Sequence, residues 1–555
     1  MLSGPAMGLG MLGGSKHMRD LKLAAELSLY PGSLSNGKSI HSALPQAFTQ
    51  KDSVTAEYIE IPIDHNNKSV GTYRNRFWVN DDYYEPGRPV IMYDAGEIEA
   101  NTIAQSHLRS DASFFKQILA ELHAIGIIWE HRYYGNSTPY PIRRDTPPEH
   151  FKYLTTKQAL EDIPYFARNF SRPNFSNIDL TPSSTPWVII GGSYGGIRAA
   201  FARNKYPDVI FAAYSSSSPV QAQVNMSIYY DQVYRGMVGH GLENCTKAIH
   251  AALNYIDQQL SKNSTAASIK QLFFGPGAEK NSNEGFTAAL VSLFNYFQSY
   301  GVDGPEGSLR EFCNYLKADP VSMLSASSGS FAQILGGKYV AERWAAWPMF
   351  TPMVNVFFET NCRGLNASKE SSCELDLLYT DPDSISWTWQ YCTEWGFYQS
   401  NNAGPHSLLS RYQTLEYQQQ VCKNHFPKAV ANGMLPPRPE TETLNKEYGG
   451  WNIRPSNTYF SGGEYDPWRT LSILTSEDIA PEVAPNGITF STEIPKCGET
   501  NKGKVFGYIL KDSEHCYDFQ VASAEGKVSR DLFKQALTKW LPCFNSSKAK
   551  ETRAE

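Results

Sequence analysis

Cysteine is missing from the whole N-terminal part of this 555-residue chain: the first of nine is Cys245. The others are Cys313, Cys362, Cys373, Cys392, Cys422, Cys497, Cys516 and Cys543, with no CxxC pair among them, which excludes the common structural zinc sites. There is no HExxH and no Walker loop. Gly8 to Gly13 formally spells GxGxxG, but no strand precedes it and no helical pattern follows, so it reads as chance. No metal and no organic cofactor is therefore expected. No run of eighteen apolar residues occurs, so no membrane-spanning helix is expected. Excess positive charge is absent too: the net charge of −6 gives no reason to expect a nucleic acid partner. Met1 to Gly14 carries no basic residue and is glycine-rich, which makes a poor signal peptide.

What is present describes a folded protein. Hydrophobic residues make up 41% and charged residues 19%, and the length allows two domains of ordinary size. Asn-x-Ser/Thr triplets start at Asn67, Asn136, Asn169, Asn174, Asn225, Asn244, Asn263, Asn366 and Asn545. Together with the clustered cysteines they point to the secretory pathway, either secreted or vacuolar/lysosomal, and to N-glycans.

Residues 1–48 lack periodicity and are expected to be disordered. Strand-like alternation begins at Ala56 to Asp64 and recurs at Thr72 to Val79. Short buried-strand runs follow at Pro89–Tyr93, Ile125–Trp129, Trp187–Ile190 and Ile210–Tyr214. Helical patterns separate them near Phe114–His123, Thr156–Phe166 and Ile197–Asn204. This alternation predicts a mostly parallel sheet with helices on both faces. Between about 220 and 448 the rhythm is lost to a helix-rich, aromatic segment with six of the nine cysteines. It returns at Thr458–Phe460 and Phe506–Leu510, with a closing helix whose Phe533, Leu537 and Trp540 share a face. The expected organisation is one α/β domain, 49–219 plus 449–545, carrying 220–448 as an inserted helical cap, and a charged tail over 546–555.

The run Trp187-Val-Ile-Ile-Gly-Gly-Ser193-Tyr-Gly-Gly196 places G-x-S-x-G between a buried strand and a helix. That is the context a nucleophile elbow requires, since flanking glycines admit the close strand–helix approach and the serine's strained dihedrals. The helix N-terminus behind Ser193 puts partial positive charge where an oxyanion would form. Ser215 to Ser218 has no flanking glycine and reads as a loop.

A serine nucleophile needs a base, and the base an orienting acid. His515 follows the last predicted strand near the C-terminus, whereas His406 and His425 lie within the inserted segment. Asp466 follows the strand at Thr458–Phe460, in Ser461-Gly-Gly-Glu-Tyr-Asp-Pro-Trp468. A carboxylate there faces the active-site side of a parallel sheet. Glu464 and Asp512 are its rivals.

Five blocks together resemble the prolyl carboxypeptidase and lysosomal dipeptidyl peptidase family of serine peptidases, including its fungal secreted members. They are Glu130-His-Arg-Tyr-Tyr-Gly-Asn-Ser137, the Gly-Gly-Ser-Tyr-Gly-Gly elbow, Tyr465-Asp-Pro-Trp468, His515-Cys516, and Trp387-Thr-Trp-Gln-Tyr-Cys-Thr-Glu-Trp-Gly-Phe397. The likeness covers about Ala56 to Leu541. It implies an α/β-hydrolase fold, a disulfide-bearing helical cap, peptide substrates and cleavage after proline. By position it implies Ser193 as nucleophile, Asp466 as orienting acid and His515 as base. The oxyanion hole would use the Tyr194 N–H and one from the loop Ala95-Gly96-Glu97. That loop departs from the family's Asn-Glu-Gly run, so the grip on substrate termini is open; Glu97 could meet an N-terminal amine. Trp387, Trp389 and Trp395 are candidate pocket walls, and Glu130-His131-Arg132 reads as a structural ion pair. Cys392 is expected to pair with Cys422, Cys245 with Cys313 and Cys362 with Cys373. The resemblance also suggests work in acidic surroundings, which would require burial to lower the pKa of His515. Other readings on the same scaffold are a prolyl endopeptidase, an esterase or lipase, and a silent binding protein.

Overall fold

The computed structural model describes residues 53–304, 306–318, 331–376, 378–476, 489–500 and 503–551. The segment 1–48 lies outside these. Eleven strands occur among the described residues: β1 (Glu57–Pro62), β2 (Thr72–Asn80), β3 (Val90–Asp94), β4 (Ile125–Trp129), β5 (Trp187–Gly192), β6 (Ile210–Ser216), β7 (Gln223–Asn225), β8 (Gly396–Tyr398), β9 (Thr458–Gly463), β10 (Thr489–Ser491) and β11 (Lys504–Leu510). Nine of them form one sheet in the order β1-β2-β4-β3-β5-β6-β9-β11-β10. Only the β1–β2 and β2–β4 pairings are antiparallel. The chain thus has an α/β-hydrolase fold.

Burial explains the strand sequences. β3, β4 and β5 are covered on both faces, so every residue is buried and the runs carry no charge before Asp94 at the end of β3. Their side chains still alternate between two cores. Val90, Met92, Ile127, Trp129 and Ile189 join Leu160, Ile163 and Phe166 of the helix Thr156–Arg168 on one face. Ile91, Tyr93, Ile128 and Ile190 join Phe115, Phe533, Leu537 and Trp540 on the other. At the sheet edge β1 reads half-buried, its exposed Tyr58 and Glu60 facing water.

The segment between β6 and β9 leaves the sheet and returns beside its point of departure, since Ala213 to Ser216 pair with Thr458 to Ser461. It is mostly helical, and its core is continuous with the first face. Among the described residues four disulfides staple the chain. Cys245–Cys313, Cys362–Cys373 and Cys392–Cys422 lie within that segment, the last with a Cα separation of 5.7 Å. Cys497–Cys543 ties the region before β11 to the last helix, Ala524–Glu551, and Cys516 is free and buried. That helix runs into the segment read from sequence as a charged tail. The serine run also differs from expectation: Ser215 and Ser216 finish β6, because they pair with both β5 and β9. Among the described residues no helix is long and apolar enough to cross a membrane.

Candidate active site

Ser193 sits between the end of β5 and the helix Tyr194–Lys205, with φ 58° and ψ −127°. A non-glycine residue adopts that conformation only where its surroundings dictate it. Here the surroundings are backbone. A Cβ on Gly191 would overlap the Gly195 carbonyl, and one on Gly195 would come within 2.5 Å of the Asp94 carbonyl oxygen. The turn is therefore too tight for any side chain at either position. The Ser193 N–H donates to the Ser216 carbonyl at 2.9 Å, fixing the elbow to β6.

The ends of β9 and β11 bring an acid and a base to the same edge of the sheet. Asp466 opens a short 3-10 turn, Pro467–Leu471, and its Oδ1 accepts from the Trp468 N–H at 2.9 Å. The same oxygen accepts from His515 Nδ1 at 2.9 Å. The His515 N–H donates to the Gln298 carbonyl at 3.1 Å, so the inserted segment helps hold the base. The next residue touches the elbow: the Cys516 N–H donates to Ser217 Oγ at 2.9 Å, and its sulfur packs over Gly192. Asp466 and His515 are both buried. Asp466 Oδ2 and His515 Nε2 make no hydrogen bond with any described residue. Nδ1 is thus held as the donor, and Nε2 is the atom able to take a proton.

Burial alone would lower the His515 pKa, but the Asp466 carboxylate and the Cys516 sulfur together outweigh it and raise the pKa to about 10. The lowered value expected from sequence is overturned, because the Asp466 charge lies in direct contact. The rivals are engaged elsewhere. His406 stacks on Tyr234 at 4.3 Å, and His425 accepts from the Tyr379 N–H at 3.0 Å. Glu464 Oε2 accepts from the Asp512 N–H at 3.0 Å, and neither carboxylate is bonded to His515.

The loop after β3 lies against the elbow, a Cβ on Gly96 falling 3.1 Å from the Gly195 nitrogen. The Gly96 N–H donates to Asp94 Oδ1 at 2.9 Å, and Asp94 Oδ2 accepts from Arg198 Nε at 2.7 Å. Gly96 therefore has no free N–H for an oxyanion. The N–H groups of Tyr194 and Glu97 make no hydrogen bond with described residues. Glu97 is 6% exposed, and its Oε2 is buried without a partner among the described residues.

Rings extend from the base around to the elbow. Trp468 lies 6.5 Å from His515 and 5.3 Å from Phe397, Phe397 lies 5.7 Å from Trp395, and Trp395 lies 5.7 Å from Tyr194. Trp387 also packs on Tyr194, at 5.2 Å. Trp389 does not join them: it stacks on Phe151 at 5.0 Å. Trp468 and Phe397 were not singled out from sequence. The signal for Phe397 lies in its backbone, φ 59° directly after Gly396 at φ 73°, an unusual conformation for a bulky residue. Gln298 was missed as well; its Oε1 accepts from Trp468 Nε1 at 2.9 Å and from the Tyr229 hydroxyl at 3.0 Å.

The Glu130-His131-Arg132 block lies behind the site. Glu130 accepts from Arg76 Nε at 3.0 Å and from the Ser137 hydroxyl at 2.7 Å. Arg132 donates from two nitrogens to Asp162, at 2.7 and 2.6 Å. His131 donates from Nδ1 to the Arg132 carbonyl at 2.6 Å and accepts the Tyr194 hydroxyl at Nε2, 3.2 Å. Burial first, then Arg198, holds its pKa well below the usual histidine value, so it serves as a neutral acceptor.

Comparison with known proteins bears on this arrangement. Residues 62–487 match the peptidase family described as Serine carboxypeptidase S28. A protein named "Probable extracellular serine carboxypeptidase", from Arthroderma benhamiae, is 28% identical over 448 residues, covering 75% of this chain and 59% of that one. The chain thus spans less than two thirds of that relative's length. The thymus-specific serine protease of Mus musculus is 26% identical over 523 residues, covering 89% of this chain and 88% of the relative. A solved proline iminopeptidase of Mycobacterium smegmatis overlaps 87% of this chain and 99% of its own at 10% identity, with a TM-score of 0.29. The chain belongs to the serine carboxypeptidase S28 family.

Proposed function

We propose that this serine peptidase hydrolyses peptide bonds after proline, using Ser193 as nucleophile, His515 as base and Asp466 as the acid that orients it. The observation that carries the reading is the buried Asp466–His515 contact at 2.9 Å, beside a serine held at φ 58°. Ser193 Oγ attacks the scissile carbonyl while His515 Nε2 takes its proton, and Asp466 steadies the imidazolium through Nδ1. The N–H groups of Tyr194 and Glu97 meet the oxyanion, at the positive end of the helix Tyr194–Lys205. Collapse releases the amine with the proton from Nε2, leaving an acyl-enzyme that water hydrolyses by the same route in reverse. The segment 220–448 acts as a cap, contributing Phe397, Trp395 and Gln298.

The rings of Trp468, Phe397 and Trp395 support the preference for proline. A rigid apolar ring can be buried there with little loss of entropy. Relative to alanine it adds two methylenes, worth about 1.6 kcal/mol or about fifteen-fold. The partnerless buried oxygen of Glu97 favours a substrate amine at the end of the cleft, hence release of dipeptides. The carboxypeptidase name borne by the family and by the Arthroderma relative favours the other polarity. Paired fluorogenic substrates separate the two. An Xaa-Pro amide with a free amine should be cut, lose most of its turnover when N-acylated, and lose it also in Glu97→Gln. Cleavage restricted to N-acylated peptides with a free C-terminal carboxylate would establish the carboxypeptidase reading. Cutting p-nitrophenyl esters but no peptide would establish an esterase. The disulfides and the exposed Asn67, Asn174, Asn263 and Asn366 support the secretory pathway and N-glycosylation.

A further inference from the structure

A cavity of about 400 Å³ opens on the side of the helix Pro382–Gln390 away from the elbow, between the loop after Tyr140 and the residues that follow the helix Leu415–His425. Its walls include Phe151, Ile385 and Phe426, all buried, and none of its lining residues belongs to the site at Ser193. The volume falls in the range of small-molecule sites. Two buried ionisable residues line its floor, Tyr379, whose phenol burial pushes up, and His425, which is already satisfied: Nδ1 donates to the Val421 carbonyl and Nε2 accepts from the Tyr379 N–H, each at 3.0 Å. Burial lowers the His425 pKa to about 4, so the floor is neutral. The mouth is different. Arg143, Arg144 and Lys428 are exposed there, and their side chains make no ion pair or hydrogen bond with described residues. Against these three cations stands one carboxylate, Asp145, an excess of two positive charges on a chain whose net charge is −6.

We propose that this cavity is a second binding site, taking an anionic amphiphile: an alkyl or aryl body buried against Phe151, Ile385 and Phe426, with a carboxylate head among Arg143, Arg144 and Lys428. An uncharged floor rejects a buried charge, and an unpaired cationic rim selects a negative head.

Dodecanoate below its micellar concentration, titrated calorimetrically into the full-length protein, is the test. One equivalent should bind, and dodecanol should bind more weakly. Arg143→Ala/Arg144→Ala/Lys428→Ala should weaken dodecanoate on the order of tenfold through three exposed contacts. Ala429→Trp should remove binding by filling the cavity; if that variant fails to fold, the surface triple variant decides alone. Prior reaction with a fluorophosphonate should leave binding unchanged. Absence of binding, equal affinity in the triple variant, equal affinity for dodecanol, or loss of binding after the fluorophosphonate would each overturn the proposal.

Discussion

Asp162 and Asp466 are both buried and each contacts a histidine, and they differ in what they leave over. Asp162 uses both oxygens: Oδ1 accepts from Arg132 at 2.6 Å and from His65 at 2.7 Å, and Oδ2 accepts from Arg132 at 2.7 Å and the Tyr73 hydroxyl at 3.4 Å. Burial pushes its pKa up, but Arg132 and His65 outweigh that and hold it below the usual carboxylate range. Asp466 instead has one oxygen shared by His515 and Trp468 and one without a partner, and the imidazole ends in a partnerless Nε2. A saturated network resists rearrangement and ties β1 to the helix Thr156–Arg168. An unsaturated one keeps an atom ready for a proton. Structural and chemical roles thus separate by satisfaction, since both pairs are buried.

The largest expected effects come from breaking the second pair. His515→Ala should lower kcat by 10⁴-fold or more, with the denaturation midpoint little changed; adding Asp466→Ala should cost far less than the two single losses multiplied. Breaking the first pair should do the reverse. Arg132→Ala leaves the Asp162 charge buried without its cation and should cost about 3–5 kcal/mol in denaturant titration, while the folded fraction keeps its turnover. A kcat/KM loss in Arg132→Ala at unchanged stability would erase the distinction.

Between these lies a bridge that serves only the fold. Cys392→Ser/Cys422→Ser opens a loop with a sequence separation of 30, worth about 3.5 kcal/mol by chain entropy, readable as a lower urea midpoint. The pH profile sharpens the comparison further. Only neutral His515 can accept a proton, and Asp466 raises its pKa, so the acidic limb of kcat/KM should lie above the free-imidazole value of about 6.5. Asp466→Asn removes that charge and should move the limb downward in its residual activity; an unmoved limb would discount the 2.9 Å contact. The smallest effect concerns the ring wall: Phe397→Ala should reduce the preference for proline over alanine by up to about fifteen-fold, measured on matched amide substrates.

The parts legible in the sequence were those fixed by local patterns. The apolar run Trp187–Ile190 and its following glycines located β5, the elbow and the helix, because a strand covered on both faces and a turn without room for Cβ atoms leave little choice of residue. The helix Asn101–Arg109 was missed: its polar sequence hides the buried Ile103, Ala104 and Leu108. The exposed edge strand β10 has no apolar alternation to detect. Within the site, the Asp94 side chain captures the Gly96 N–H, an effect of one rotamer that no spacing reveals. Trp468 and Gln298 meet His515, and Phe397 packs on Trp468, from three distant stretches of chain that only the folded arrangement brings together.

The central claim is that Ser193 is the nucleophile, and reaction with a fluorophosphonate probe tests it most directly. Peptide mapping of the labelled wild-type protein should place a single adduct on Ser193, and folded Ser193→Ala should take up none. An adduct on another residue, or labelling that persists in folded Ser193→Ala, would contradict the account.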